Sequence, residues 1–360
     1  MTRSAPELIL PIEKIVFGGD GLMRHEGRVG FVPFVAPGET VRVMIRQDQK
    51  DYFRATLVEV VQPSPHRVAP PCPYFGVCGG CNYQHINDSH QLEIKDQQLR
   101  ETLLRAKVLS PDQEDITWHP PQASPQPLHY RNRITLHSDG RHWGFHAHQQ
   151  PNKIVRIDQC LLAAPSVNQK IEELQRRPES QQNRTLRAPD LRGGVFHQTN
   201  PALAELLAEY VASQIPADTK SLLDLYCGTG FFTQACRGKF QTATGIDWSA
   251  RNIEVANSLA QEGEEFLQGD VAMYLPHALA ATQGFAILDP PREGLSEEVR
   301  EILKAGRLLQ RFVYVSCNPA TLARDLASLQ SKYRINTVKL FDMFPQTAEI
   351  ESVVTLMPTS

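Results

Sequence analysis

The chain lacks what would carry it out of the cell or into a membrane. Its amino terminus, M-T-R-S-A-P-E-L-I-L-P, has no apolar signal-peptide core. No apolar run in its 360 residues approaches the ~20 needed to span a bilayer. These absences predict a cytoplasmic protein with no membrane partner. A strong charge excess is also missing: 37 Lys and Arg stand against 40 Asp and Glu, for a net charge of -3. That excludes a wholesale polycation but not a local basic surface. Cysteines number seven, an odd count, and in the cytosol they read as ligands or reactive thiols instead of disulfides. Two nucleotide motifs are incomplete as well. The G-x-G near residue 228 falls short of G-x-G-x-x-G, and no Lys follows it as in a P-loop.

What is present divides the chain. Its length predicts two or three domains. Up to residue 62, β-branched runs (Arg28 to Val32, Thr40 to Ile45, Ala55 to Val61) alternate with turn signals, as in a five-stranded barrel of the OB type, a common nucleic-acid binder. A proline-rich joint opens a second region, 63–195. Leu92 to Val108 carries a helical stripe, Thr117 to Leu128 is a Pro-rich connection, and Arg133 to Ile157 reads as strands turning at Asp139-Gly140. Lys170 to Asp190 is polar, a surface helix or loop. Arg131, Arg133, His137, Arg141, His142, Trp143, His146 and His148 interleave charge with rings, which suits RNA phosphates and bases as well as it suits a solvated hairpin.

C-P-Y-F-G-V-C-G-G-C places Cys72, Cys78 and Cys81 in a C-x5-C-x2-C pattern on a Gly-rich loop, with Cys160 available as a fourth thiolate. Four thiolates suit an iron–sulfur cluster or structural zinc, and the wide first gap favours a [4Fe-4S] centre. From residue 196 onward, after F-H-Q-T-N-P and a helix from Ala202 to Gln214, strands and helices alternate, the pattern of a Rossmann-like α/β fold. S-L-L-D-L-Y-C-G-T-G runs from strand into Gly-rich turn. Asp247 and Asp270 end the next two strands, where ribose hydroxyls and an adenine amino group would lie. D-x-x-C-G-x-G with these two acids fits S-adenosylmethionine better than a dinucleotide. A fourth strand delivers Asp289, Pro290, Pro291 and Arg292. The stretch R-F-V-Y-V-S-C-N-P-A-T-L-A-R-D, residues 311–325, then sets Cys317 between a buried strand and a helix start. There the helix dipole favours a thiolate nucleophile. Glu349 and Glu351 precede the last strand, and pattern alone does not choose between them.

Taken together, the chain resembles the S-adenosylmethionine-dependent RNA uracil-C5 methyltransferases, over most of its length and with the motifs in the family's order: C-x5-C-x2-C, D-L-Y-C-G-T-G, D-P-P-R-E-G, Y-V-S-C-N-P-A-T-L-A-R-D and D-M-F-P-Q-T. The resemblance implies a TRAM domain over 1–62, a small α+β iron–sulfur and RNA-binding domain over 63–195, and a class I methyltransferase domain over 196–360. It implies Cys317 as nucleophile, Glu351 as base, and Gln198, Tyr226, Asp247 and Asp289 at the methyl donor or target base; Asp270 joins them from its strand-end position. The implied substrate is a uridine in rRNA or tRNA. Two departures stand out: a shortened stretch between Cys160 and Phe196, and Glu349 where relatives carry His. Cytosine-C5 methyl transfer is the rival chemistry, but such enzymes place a cysteine after the fourth strand, where this chain reads D-P-P-R. A non-catalytic iron–sulfur RNA-binding protein is the rival of another class.

Overall fold

Unbroken apolar runs decide the second half of the chain. Strands such as Gly284–Leu288 and Arg311–Ser316 are buried along almost every residue, as parallel strands covered on both faces must be. In the computed structural model, which describes residues 7–110, 115–176, 183–189, 191, 197–281, 284–306 and 309–359, they belong to an eight-stranded sheet. Its order is Glu264–Gln268, Thr242–Asp247, Ser221–Leu225, Gly284–Leu288, Arg311–Ser316, Glu351–Pro358, Tyr333–Phe341 and Thr117–Trp118. The first five run parallel. Glu351–Pro358 is antiparallel to both of its neighbours. After Ser221–Leu225 the chain builds outward on one side, then returns to lay Gly284–Leu288 on the other. That reversal opens a crevice at the carboxyl ends of the strands, the usual ligand position in such sheets.

Helix starts in this sheet are written locally. Asn200, Ser249 and Ser296 each cap a helix with a side-chain oxygen, satisfying an amide that has no partner within its own helix. Pro201 and Pro319 occupy first-turn positions, where the missing N–H costs nothing.

The chain divides into two compact units. One comprises 1–98, 126–189 and 344–349; the other comprises 99–125, 190–343 and 350–360. The first holds a six-stranded sheet in the order Glu7–Pro11, Thr40–Asp48, Tyr52–Gln62, Arg28–Val32, Gly21–His25 and Lys14–Ile15. Lys14–Ile15, only two residues long, is too brief to carry an alternation signal, which is why a count of five fell short. A second sheet orders Gln150–Arg156, Trp143–Ala147, Arg133–Ser138 and Asn183–Arg187. Helix Pro165–Gln175 packs Val167, Ile171 and Leu174 against Ile134, Leu136, Trp143 and Leu186.

Of the polar stretch read as a surface helix or loop, the described residues include the end of this packed helix and the edge strand Asn183–Arg187. In that strand Leu186 alone is buried, too little to show a period. The expected iron–sulfur domain is corrected. Among the described residues no group of three or more His, Cys, Asp or Glu could hold a metal ion, and this α+β part is built on the apolar cluster around Trp143. The boundary expected at 195–196, with Phe196, lies outside the described residues. No described helix is long and apolar enough to cross a membrane.

Asn200 tests how much a single cap holds. Fully buried, it accepts from Leu203 N and donates to Ser124 Oγ (2.9 Å) and to the Met343 carbonyl. Asn200→Ala is expected to cost about 1–3 kcal/mol, read from the midpoint of denaturant unfolding. An unchanged midpoint would refute this.

Candidate active site

Cys317 owes its place to a turn that polar side chains close. The buried strand Arg311–Ser316 ends as Ser316 Oγ accepts from Asn318 N (3.2 Å). The Asn318 side chain then accepts from Ala320 N (3.1 Å), and the helix Pro319–Leu329 begins. Pro319 occupies its first turn. Cys317 is left part-exposed at the carboxyl edge of the sheet. Next to it, Asp289 follows strand Gly284–Leu288, its N–H donated to the Leu225 carbonyl (3.2 Å). The carbonyl of Arg292 accepts from Asn318 Nδ2 and Thr321 Oγ1, both at 3.1 Å. Its guanidinium bonds the Cys317 thiol. Because Glu351–Pro358 runs antiparallel, its amino end lies at this same edge: Ser352 sits opposite Ser316, and Glu351, one residue earlier, is buried.

Cys317, Arg292, Asp289 and Glu351 therefore share one electrostatic neighbourhood. Glu349 precedes the strand, with its N–H on Thr347 Oγ1 (3.3 Å), and does not share the strand's alternation.

Burial governs the charges. The Cys317 thiol is pushed up to about 11 by desolvation, then by the Glu351 and Asp289 carboxylates, against the pull of Arg292. This reverses the expectation that the helix start would favour a resting thiolate. The helix-end amides are already engaged by Asn318, and desolvation outweighs them. Desolvation also raises Glu351 well above the usual carboxylate range, with Asp289 adding to it. Asp289 itself, at the crevice wall, is pushed up to about 7 by desolvation and then by Asp224 and Asp247.

The other expected positions fall along the same sheet edge, apart from Gln198, which stands two residues before the Asn200 cap. Tyr226 follows strand Ser221–Leu225 with φ 63°, and Gly228 and Gly230 continue the turn at φ 56° and 77°. A side chain on Gly230 would meet the Phe266 ring at 2.9 Å, so glycine is needed there for space as well as conformation. Asp247 accepts from Gly228 N (3.0 Å), Ser249 N (2.8 Å) and Asn252 Nδ2 (3.4 Å). It braces the turn and leaves lone pairs for a ribose. Asp270 accepts from Ala272 N (2.9 Å) at a helix start and raises the Tyr226 phenol, second to desolvation.

Turn, acids and crevice together fit a nucleoside-bearing methyl donor. Asp224, which sequence reading counted only as the first residue of D-x-x-C-G-x-G, is a fully buried acid that accepts from Thr233 N (3.2 Å) and Oγ1 (2.7 Å).

Four other cysteines lie in the first unit. Cys72, Cys78, Cys81 and Cys160 line one cavity with Arg131 and Gln84. Burial pushes Cys78 up to about 11 and Cys81 to about 12, and raises Cys160. Local donors reach these sulfurs, among them Gly80 N to Cys78 Sγ (3.4 Å) and Gln84 Nε2 to Cys81 Sγ (3.2 Å). The expectation that these four ligate a [4Fe-4S] cluster is corrected, since no metal-holding group is found among the described residues. They stand as free, part-exposed cysteines.

Comparison with known proteins bears on the whole chain. A family model described as tRNA (Uracil-5-)-methyltransferase matches residues 281–359, and one described as Methyltransferase domain matches 223–309. An uncharacterized RNA methyltransferase of Bdellovibrio bacteriovorus is 33% identical over 375 residues, covering 96% of this chain and 94% of its own. The 23S rRNA (uracil(1939)-C(5))-methyltransferase of Acidithiobacillus ferrooxidans is 30% identical over 440 residues, covering 98% and 97%. The crystal structure of Pyrococcus abyssi tRNA (uracil-54, C5)-methyltransferase with S-adenosyl-L-homocysteine gives a TM-score of 0.71 at 23% identity, covering 97% of this chain and all of that one. At that identity the likeness speaks for the fold.

The buried carboxyls set a direction for stability against pH. Asp289 and Glu351 have folded-state values above their unfolded ones, so the stability they contribute is present below the unfolded pKa near 4 and lost as pH rises through the folded value. Stability is expected to fall from pH 5 to 8, and Glu351→Gln to flatten that slope. Denaturant midpoints at both pH values decide it; parallel slopes for the two proteins would contradict it.

Proposed function

Since this chain belongs to the S-adenosylmethionine-dependent RNA uracil-C5 methyltransferases, we propose that it methylates uridine through a covalent bond between Cys317 and C6 of the base. The enzyme class and the RNA substrate follow from that membership. The residue roles are our reading, and the observation that carries it is the convergence of Cys317, Arg292, Asp289 and Glu351 at one sheet edge.

C5 of uracil is a weak nucleophile. Addition of Cys317 sulfur to C6, with loss of the thiol proton, gives C5 enolate character. S-adenosylmethionine supplies an electrophilic methyl group on a sulfonium when bound. Gln198, Tyr226, Asp247 and Asp270 are the side chains we assign to holding it, with Asp289 between it and the base. Once C5 carries the methyl, Glu351 removes the C5 proton and the sulfur leaves C6, regenerating the thiol. The net change is one methyl gained and one proton released. Burial holds Cys317 and Glu351 in their neutral forms, so Arg292 and the incoming positive donor are the charges that favour their ionised forms. The base itself must come from a loop or be flipped from its stack.

Within this reading we infer 23S rRNA as the first substrate to test, supported by the name of the Acidithiobacillus relative. Labelled S-adenosylmethionine is given with unmodified 23S rRNA and tRNA transcripts to wild type and to Cys317→Ala. Label in 5-methyluridine of the rRNA, absent in the variant, is expected. Label in tRNA alone would move the substrate, and label retained by Cys317→Ala would sink the nucleophile. Glu351→Gln should turn over about 10²–10⁴-fold more slowly and accumulate a protein–RNA species that survives denaturing electrophoresis. Turnover should also rise with pH from 6 toward 9, because the thiol loses its proton only well above neutrality.

A further inference from the structure

Asp325 is fully buried eight residues beyond Cys317 and touches nothing that reacts, yet it gathers an unusual number of bonds. Its Oδ2 accepts from Tyr314 OH and from Leu295 N, both at 2.7 Å. Its Oδ1 accepts from Arg300 Nη1 (3.1 Å) and Arg324 Nε (2.9 Å). The same two arginines continue to the loop that follows Asp289. Arg324 Nη2 donates to the carbonyls of Glu293 (2.8 Å) and Leu295 (3.1 Å), and Arg300 Nη1 to that of Leu295 (2.6 Å). Thr321 Oγ1 and Asn318 Nδ2 hold the carbonyl of Arg292.

Three carbonyls of the Arg292–Leu295 loop are therefore bolted to the helix that starts just after Cys317. Gly294, at φ 75°, lets the loop come close: a side chain there would lie 2.4 Å from Asp325 Oδ2. A buried carboxylate holding two guanidiniums is costly unless it is fully bonded. Here its bonds all serve one geometry.

We propose that Asp325, through Arg324 and Arg300, is a positioning residue that locks the Arg292–Leu295 loop so that the Arg292 guanidinium stays on the Cys317 sulfur. The device rests on Cys317 being the nucleophile, but its test does not need turnover. Tyr314 ties the lock to the strand that delivers Cys317, Arg324 ties it to the helix beyond, and Leu295 ties it to the loop carrying Arg292. Guanidinium and sulfur are thus fixed from both sides. Without the lock, Arg292 turns to solvent, and the sulfur loses a cation that favours its anionic form.

The measurement is the pH dependence of alkylation at Cys317 by iodoacetamide, followed by mass spectrometry of the peptide containing it, in protein without RNA. Asp325→Asn is expected to move the midpoint of that curve upward by about one pH unit and to lower kcat about tenfold, with KM for S-adenosylmethionine little changed. Arg292→Ala should give the same shift, and the double variant should add nothing to it, as residues of one network behave. Thr321→Val, which removes one bond to the Arg292 carbonyl without disturbing the buried ion pairs, should shift the curve the same way by less. Asp325→Glu should not restore it, since Gly294 leaves no room for a longer side chain. An unmoved alkylation curve in Thr321→Val, or additive losses in the double variant, would overturn the proposal and leave Asp325 a purely structural acid. Methyl transfer retained by Cys317→Ala would instead sink the reading of function, and would leave the alkylation result standing on its own.

Discussion

The antiparallel insertion of Glu351–Pro358 between two strands of the opposite direction is the constraint on which the site depends. A strand has one polarity, and reversing it relative to Arg311–Ser316 brings its first residue to the edge where its neighbour ends. A buried carboxyl and a thiol far apart in sequence thereby become neighbours, with their backbones fixed by the ladder between them. Had the last strand run parallel, Glu351 would lie at the opposite edge of the sheet, and no side-chain movement would bring it across.

Burial has a cost that the same arrangement turns to use. Thiol and carboxyls at this edge are neutralised by desolvation and by one another, so the resting site holds few exposed charges. Positive charge from Arg292 pulls the thiol and Glu351 the other way. A free thiolate would be open to alkylation and oxidation; a protonated one, held by a positioned guanidinium, is protected until the substrates arrive. Buried carboxyls also cost stability at neutral pH, a common exchange in active sites.

The lock around Asp325 extends this logic outward. Arg292 does its work only if its backbone is immobile, and the loop carrying it has no secondary structure of its own. Side chains of the next helix supply the missing bonds to its carbonyls. The chemistry at Cys317 is therefore set partly by residues several positions beyond it in the helix.

The alternation of strands and helices, the Gly-rich turn, the acids at strand ends and the strand-to-helix turn at Cys317 were legible in sequence, because each is a local pattern: an apolar run, then a turn residue, then a cap. The parallel core was readable for the same reason, since strands buried on both faces show as unbroken apolar stretches. Less was visible where few residues are buried, as in the edge strand Asn183–Arg187 with its single Leu186. The thiol's protonation was misread because it is a sum over neighbours brought together by the fold, and the helix start alone is a smaller contribution. The four cysteines of the first unit carried a strong spacing signal, yet spacing counts residues along a chain, while a metal site needs sulfurs arranged in space, which is not found among the described residues. By itself the sequence determined which residues could react and which strand ends would carry them. The tertiary structure alone decided that Glu351 comes beside Cys317, that burial raises both, and that Asp325 is bonded into the network holding the Arg292–Leu295 loop, because proximity, desolvation and saturated hydrogen bonding exist only once distant segments are packed.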